Sequence, residues 1–340
     1  MQPLASILIT TFNSEKYIRE SLDSALVQTY PNFEVVVVDG GSTDGTREII
    51  REYVDSCLRA SSAVAAAKAG QGSGGQARVR PIFSEKRLGI KEGRNLLFKE
   101  AHGELLTFLD SDDIYLPEKV AEEAAFLETH PDYAAVYCDI RYFFDGEPGK
   151  FYKHRYTFHS GDIFKELLSR MFITNTAVMF RRAVFDALGG YDETLGMVED
   201  WEYFLRMAHA GHKIGFLPKP LVRYRLRWDN NTRFDNQVPI QESAVKIFEN
   251  LHTRMSAEER VRYGMDAILS RRRLRLAVAY LATGKGKEAR ALFKSISGSV
   301  ALRSAAWALS FMGAVLPTRF MRFLVERAWN MKKKNLFVPV

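Results

Sequence analysis

Phe33-Glu-Val-Val-Val-Val-Asp-Gly-Gly-Ser-Thr-Asp-Gly45 decides the architecture. A run of β-branched residues with no polar alternation is the signature of a strand buried on both faces, as in a parallel sheet. The run stops at an acid and two glycines. Ser42, Thr43 and Asp44 then supply capping side chains for a helix read over residues 43–58. The same strand–acid–helix pattern recurs outward from it. Residues 7–10 form a short apolar run ending Thr10-Thr-Phe-Asn13, followed by helical periodicity over 14–28. A third strand reads at 79–84, a helix at 90–101, and a fourth strand at Leu105-Leu-Thr-Phe-Leu109, which ends Asp110-Ser-Asp-Asp113. Strands alternating with helices of this length predict βαβ units and a mostly parallel, doubly wound α/β sheet.

Between the second helix and third strand, residues 60–77 are rich in Ala and Gly and read as an inserted loop of linker composition. Beyond 130 the pattern is less regular. Strands are expected at 133–140, 174–180, 213–217 and 221–225, with an amphipathic helix at 201–210. From about Gln237 to Lys334 strand signals vanish and helices follow one another. Residues 276–296 read as a helical hairpin, of the kind seen singly in tetratricopeptide repeats, turning at Gly284 and Gly286. Two units follow: residues 1–236, and a basic helical region at 237–340.

The chain has 340 residues, 46% of them hydrophobic and 26% charged, an ordinary globular balance that excludes disordered, collagen-like and disulfide-scaffold proteins. Its two cysteines, Cys57 and Cys138, lie in no metal-ligand spacing and fit a reducing compartment. The net charge of +7 conceals a division. Residues 251–340 hold 18 basic and 5 acidic residues, net +13, which leaves 1–250 at net −6. Such asymmetry points to a partner surface for the tail. The start of the chain reads as no export signal, and the longest apolar stretch, residues 304–317, is shorter than the roughly 20 residues of a spanning helix. A cytoplasmic protein is expected.

Ligands of open α/β sheets bind beyond the carboxyl ends of the strands. Three of those ends carry acids here or lie beside them. Carboxylates two apart, as in Asp110-Ser-Asp112, can divide a ligand between them. One takes a divalent cation alongside phosphate oxygens and the other accepts from a sugar hydroxyl. Asp113 reads as a cap for the helix after Pro117. Glu199-Asp200 is a second acidic pair at a helix start. Capping by the helix dipole is one reading of it, and a general base whose neighbour raises its pKa is the other.

These segments together resemble family 2 glycosyltransferases of the GT-A fold. The resemblance runs in order through Ser6-Ile-Leu-Ile-Thr-Thr-Phe-Asn13, the stretch from Val35 to Thr46, residues 89–95, Gly103 to Asp113, Phe180-Arg-Arg-Ala-Val-Phe-Asp-Ala-Leu-Gly-Gly-Tyr-Asp192 and Glu199-Asp-Trp-Glu202. It covers about residues 5–230 and implies a GT-A domain; the tail after about 237 lies outside the resemblance, and its pattern alone gives the expected C-terminal all-α region. The resemblance implies that Thr10, Phe12 and Asp39 hold the nucleotide base, Arg94 helps hold the donor, Asp110 lies on the ribose side, and Asp112 is the metal ligand of a DXD motif. It also implies Asp200 as catalytic base with Glu199 beside it, and Mn²⁺ or Mg²⁺ as cofactor. Phe12 stands where a tyrosine is common, keeping the stacking face and losing a hydroxyl. In Tyr224-Arg-Leu-Arg-Trp228, Arg227 replaces a common histidine, so it suits a diphosphate contact rather than a metal. The run also lacks the glutamine of processive synthases.

The expected activity is inverting transfer of one sugar from a nucleotide-sugar donor, UDP by family default, to a glycan or lipid-linked acceptor in cell-surface polysaccharide assembly. A nucleotidyltransferase is the rival enzyme reading, although it calls for a Gly-rich basic loop after the first strand. A catalytically silent nucleotide- or glycan-binding module is the other. The basic tail carries Arg271-Arg-Arg273, Arg319, Arg322 and Lys332-Lys-Lys334 among Trp307, Phe311, Phe320 and Trp329. Basic residues beside Trp and Phe on short helices fit a membrane interface. A helical subdomain packed on the core with a solvated charged face fits as well. The family resemblance favours the inner membrane face, and nucleic acid comes third because no reading motif is present.

Overall fold

The computed structural model describes residues 2–67, 79–147, 149–227, 236–297, 299–334 and 337–339. Strands β1 (Ala5–Thr11), β2 (Phe33–Asp39), β3 (Val79–Phe83) and β4 (Leu105–Phe108) form a parallel block in the order β3-β2-β1-β4. Beyond β4 the sheet becomes mixed. A short strand at Val178–Arg181 runs antiparallel to β4 and to the long strand Tyr133–Phe144.

Burial follows the period of two. Ile7, Ile9, Val35 and Val37 point into one core with the helices Ile18–Leu26 and Lys119–Thr129. Leu8, Val36, Val38, Leu106 and Phe108 point into the other with Leu97, Phe98 and the helix Glu199–His209. Each fully buried side chain of this size contributes about 1.5–3 kcal/mol. The second core also takes Ile247, Phe248, Leu251, Met265 and Leu269 from the helices Gln237–Arg254 and Met265–Ala282. A third, smaller core forms farther on around Ala277, Leu281, Ala289, Phe293, Ala306 and Met321.

Several boundaries differ from expectation. The second helix runs Thr46–Ala67, because its alanines are strong helix formers, so the loop reading fails for 60–67; residues 68–78 lie outside the described residues. The helix starts where Asp44 Oδ1 accepts from the Thr46 amide at 3.1 Å. The strand expected at 174–180 opens as a 3-10 turn, Asn175–Ala177. The two short strands expected at 213–225 are one, Lys213–Leu226. Pro218 and Pro220 lack amide donors there, and the register against Tyr133–Phe144 shifts nearby, at Cys138/Asp139 and Asp139/Ile140. The hairpin at Gly284 forms as expected, with φ +81° at that glycine. Cys138 is buried and Cys57 half-buried, both free. A final strand, Phe337–Pro339, pairs antiparallel with Tyr152–His154 and so returns the chain to the sheet edge.

Beneath β4 lies a charged pair with no exposure. Lys119 Nζ donates to Glu123 Oε2 at 2.5 Å and to Thr107 Oγ1 at 2.8 Å, while Thr107 also meets the Tyr115 hydroxyl at 2.9 Å. Burial raises the Glu123 pKa against the pull of Lys119. Removing one member strands the other, so Lys119→Ala should cost about 3–5 kcal/mol in urea unfolding; a loss below 1 kcal/mol would show that the pair contributes little.

Candidate active site

The loops after β1, β2 and β4 are stitched together at the carboxyl edge. Asn13, with φ +47°, receives the Thr43 amide on its side-chain oxygen at 2.9 Å and donates its own amide to Ser42 Oγ at 2.9 Å. Ser14 Oγ meets Ser111 Oγ at 3.0 Å, tying the first loop to the Asp110–Asp113 turn. Gly93, on the helix Ile90–Glu100, lies so close to Thr10 that an added Cβ would stand 3.1 Å from its methyl.

Asp39 is fully buried at the end of β2. It accepts from the Ser42 amide at 3.1 Å and forms an ion pair with Arg47 Nε at 2.6 Å. Phe12 is about one-third exposed, and the Arg87 guanidinium stands 3.0 Å above its ring centre.

Arg94 links the two acidic motifs. It is 7% exposed and reaches Asp110 Oδ1 at 3.0 Å and Glu199 Oε1 at 2.8 Å. Burial opposes its charge, but the two carboxylates outweigh that and raise its pKa. Its rank on the helix is fixed by Asn95, which donates to the Tyr191 carbonyl at 3.0 Å and accepts from the Tyr191 amide at 2.8 Å. That clamp needs Gly190, where a Cβ would fall 2.2 Å from the Asn95 side-chain oxygen.

Glu199 and Asp200 open their helix directly after Val198, a β-branched residue held at φ +56°. Such backbone strain persists only where surrounding structure over-determines it, and it gathers at functional sites. Burial, then Glu199, pushes the Asp200 pKa up to about 7 against the pull of Arg94. On the other side, Asp112 Oδ2 lies 3.3 Å from Arg227 Nε. Burial and Asp110 raise the Asp112 pKa to about 6, with Arg227 opposing. Asp113 is buried, accepts from the Arg225 amide at 2.9 Å, and belongs to the strand end rather than a helix cap.

The donor set has the chemistry a divalent cation needs. Asp110 and Asp112 are partly exposed and crowd like charge together, which a cation relieves. Among the described residues no three acids, histidines or cysteines stand close enough together to hold a metal ion by themselves. A cation held there by Asp112 would take its remaining ligands from phosphate oxygens and water, as Mg²⁺ and Mn²⁺ sites commonly do.

Asp110, Asp112, Arg94, Glu199, Asp200 and Arg227 thus come together around one edge, with Thr10, Phe12 and Asp39 on the adjoining strands. Arg87, Arg47, Asn95 and Tyr191 have no expected role from sequence; Asn95 and Tyr191 lie within stretches that carry the family resemblance, whereas the two arginines carry no sequence signal. One more unanticipated residue is Arg272, 5% exposed. Its guanidinium lies 4.5 Å from the ring centres of both Trp201 and Phe248, and it donates to the Leu168 and Ser169 carbonyls at 3.0 and 3.1 Å. A cleft of about 540 Å³ at the opposite end of the sheet, lined by Pro3, Glu104, Arg181 and Arg182, holds none of these groups.

A parallel β3-β2-β1-β4 block with acids grouped beyond its carboxyl edge, extended by a mixed half-sheet, is the architecture of the GT-A fold. The chain belongs to glycosyl transferase family 2, whose profile matches residues 6–189. An uncharacterized glycosyltransferase of Rickettsia felis is 27% identical over 231 residues, which cover 68% of this chain and 34% of that relative. One from Methanocaldococcus jannaschii is 26% identical, over 66% of this chain and 71% of the relative. This chain therefore spans about a third of the length of the first and most of the second. Among solved structures, S. aureus TarS 1–349 in complex with UDP-GlcNAc superposes with a TM-score of 0.63 at 20% identity, covering 95% of this chain and 92% of that one. Mannosyltransferase PcManGT from Pyrobaculum calidifontis, in complex with GDP-Man and Mn²⁺, gives 0.58 at 18% identity, covering 98% and 87%.

Proposed function

We propose that the chain is a metal-dependent, inverting glycosyltransferase that moves a single sugar from a nucleotide-sugar donor, UDP by default, to a hydroxyl of a glycan or lipid-linked acceptor. The observation that carries this reading is the Arg94 bridge. It joins Asp110, from the strand-end acids, to Glu199, the immediate neighbour of Asp200.

Asp39, Phe12 and Thr10 take the nucleotide base, Asp110 the ribose side, and Arg227 the diphosphate. Asp200 removes the acceptor proton as the hydroxyl attacks the anomeric carbon from the face opposite the diphosphate. A single displacement inverts the configuration, and the raised pKa of Asp200 suits a base near neutral pH. Glu199, held by Arg94, keeps the pair in register and lies beside the acceptor. Asp112 would hold the divalent cation, which would supply charge stabilisation for the leaving diphosphate. The Mn²⁺ and nucleotide sugars bound by the two structural neighbours favour the same ligand chemistry.

Residues 1–236 form the catalytic unit in this reading, and 237–340 a basic helical region packed on it. The work is assigned to the inner membrane face, in cell-surface polysaccharide assembly. The attachment in this reading is peripheral; no helix among the described residues is long and apolar enough to cross a membrane.

The test is a donor screen with UDP-, GDP- and dTDP-sugars, with and without Mn²⁺, read by thermal stabilisation and donor hydrolysis. One class should stabilise the protein by about 2.7 kcal/mol at a hundredfold excess over Kd, and only with metal. Pyrophosphate release from a nucleoside triphosphate and a sugar phosphate, with no response to nucleotide sugars, would replace this reading by a nucleotidyltransferase.

A further inference from the structure

The helices Val300–Val315 and Thr318–Lys334 each have two faces. Inward, Ala306, Leu309, Met312 and Met321 close the third core against Ala277, Leu281 and Phe293. Outward, the large apolar residues are left in solvent. Trp307 is 74% exposed, Phe311 61%, Phe320 47% and Phe323 52%. Together with Val300 they make five of the nine exposed large hydrophobic residues among those described, the rest being scattered over the molecule. Both aromatic pairs are stacked, Trp307 on Phe311 with centroids 6.1 Å apart and Phe320 on Phe323 at 6.5 Å.

Charge narrows the occupant. Arg303, Arg319, Arg322 and Arg327 are exposed on the same two helices, and residues 295–334 hold seven basic residues against one acid, Glu326. Glu326 is itself paired with Arg322 at 2.7 Å. A second copy of this face would bring like charge to like charge, with no acid to answer it. An anionic lipid surface answers both features. Aromatic rings seat at the headgroup level while arginines beside them meet lipid phosphates. Helices of 16 and 17 residues, neither long and apolar enough to cross, lie in the interface plane.

We infer that the outer face of these two helices, through Trp307, Phe311, Phe320 and Phe323 with Arg303, Arg319 and Arg322, docks the enzyme on an anionic lipid bilayer. This rests on the membrane assignment above and deepens it by naming the surface.

The full chain is mixed with vesicles of phosphatidylglycerol and phosphatidylcholine, or of phosphatidylcholine alone, and bound protein is measured by sedimentation. Binding should require the anionic lipid and weaken with salt. The variant Trp307→Ser/Phe311→Ser/Phe320→Ser/Phe323→Ser and the variant Arg319→Ser/Arg322→Ser should each bind on the order of tenfold more weakly. All six positions are exposed, so unchanged thermal unfolding certifies the fold. No sedimentation of the wild-type chain, or equal sedimentation of the aromatic variant, overturns the inference. Tighter binding of a single-stranded oligonucleotide to the same six residues also overturns it. Donor hydrolysis in vesicle-free solution is the separate readout. Its persistence in the variants supports a docking role, and its absence in a wild type that still binds vesicles defeats the catalytic reading alone.

Discussion

Asp200→Asn is expected to lower kcat by roughly 10²–10⁴-fold while donor affinity in the presence of Mn²⁺ stays within about twofold. The amide keeps the shape of the side chain and its acceptor for the Trp201 amide, 2.8 Å away. What it loses is the ability to take a proton. The wild-type pH profile offers the companion readout. With its pKa raised to about 7, the Asp200 carboxyl is protonated below that value and is no base, so kcat should rise with pH through about 7 and level above it. The variant's residual rate should lose that inflection. Normal turnover by Asp200→Asn would remove the residue from the mechanism. Loss of donor affinity along with rate would instead mean that the carboxylate holds the donor. Glu199→Gln makes the contrasting case, since it weakens the contact to Arg94 at 2.8 Å and should disturb binding as well as rate.

Asp112→Ala is expected to bring calorimetric affinity for the nucleotide-sugar donor with Mn²⁺ down to the metal-free value. A divalent cation that neutralises the donor diphosphate is expected to raise donor affinity by about tenfold or more, each tenfold being about 1.4 kcal/mol. The substitution also leaves Arg227 without the carboxylate 3.3 Å from its Nε, which alone could alter diphosphate contacts. Arg227→Ala separates the effects, because it should weaken donor binding while preserving the increment due to metal. Unchanged Mn²⁺-dependent affinity in Asp112→Ala would place the cation elsewhere.

The catalytic edge was legible because its acids sit where chain direction alone places them. A strand of Val35–Val38 must end at Asp39, and Leu105–Leu109 must end at Asp110. The long-range contacts had no such marker. Arg94 and Glu199 are 105 residues apart, and nothing local says that one neutralises the other. Arg87 over Phe12 depends on how two loops fold back. The terminal strand Phe337–Pro339 is three residues beside a lysine run, too short for a period to declare itself. The helix extending to Ala67 was missed because alanine and glycine were read together as linker, although their helix propensities differ by about 1 kcal/mol per residue.

Arg272 deserves a last consequence. It comes from a tail helix, yet it lies against Trp201, the residue after Asp200, and holds the end of the helix Phe164–Ser169 by two carbonyls. A chain cut after residue 236 would lose that strut and open an apolar wound beneath the helix Glu199–His209. The tail is thus not cargo that the domain carries. It is a wall of the same room, with Arg272 set against the residue that follows Asp200.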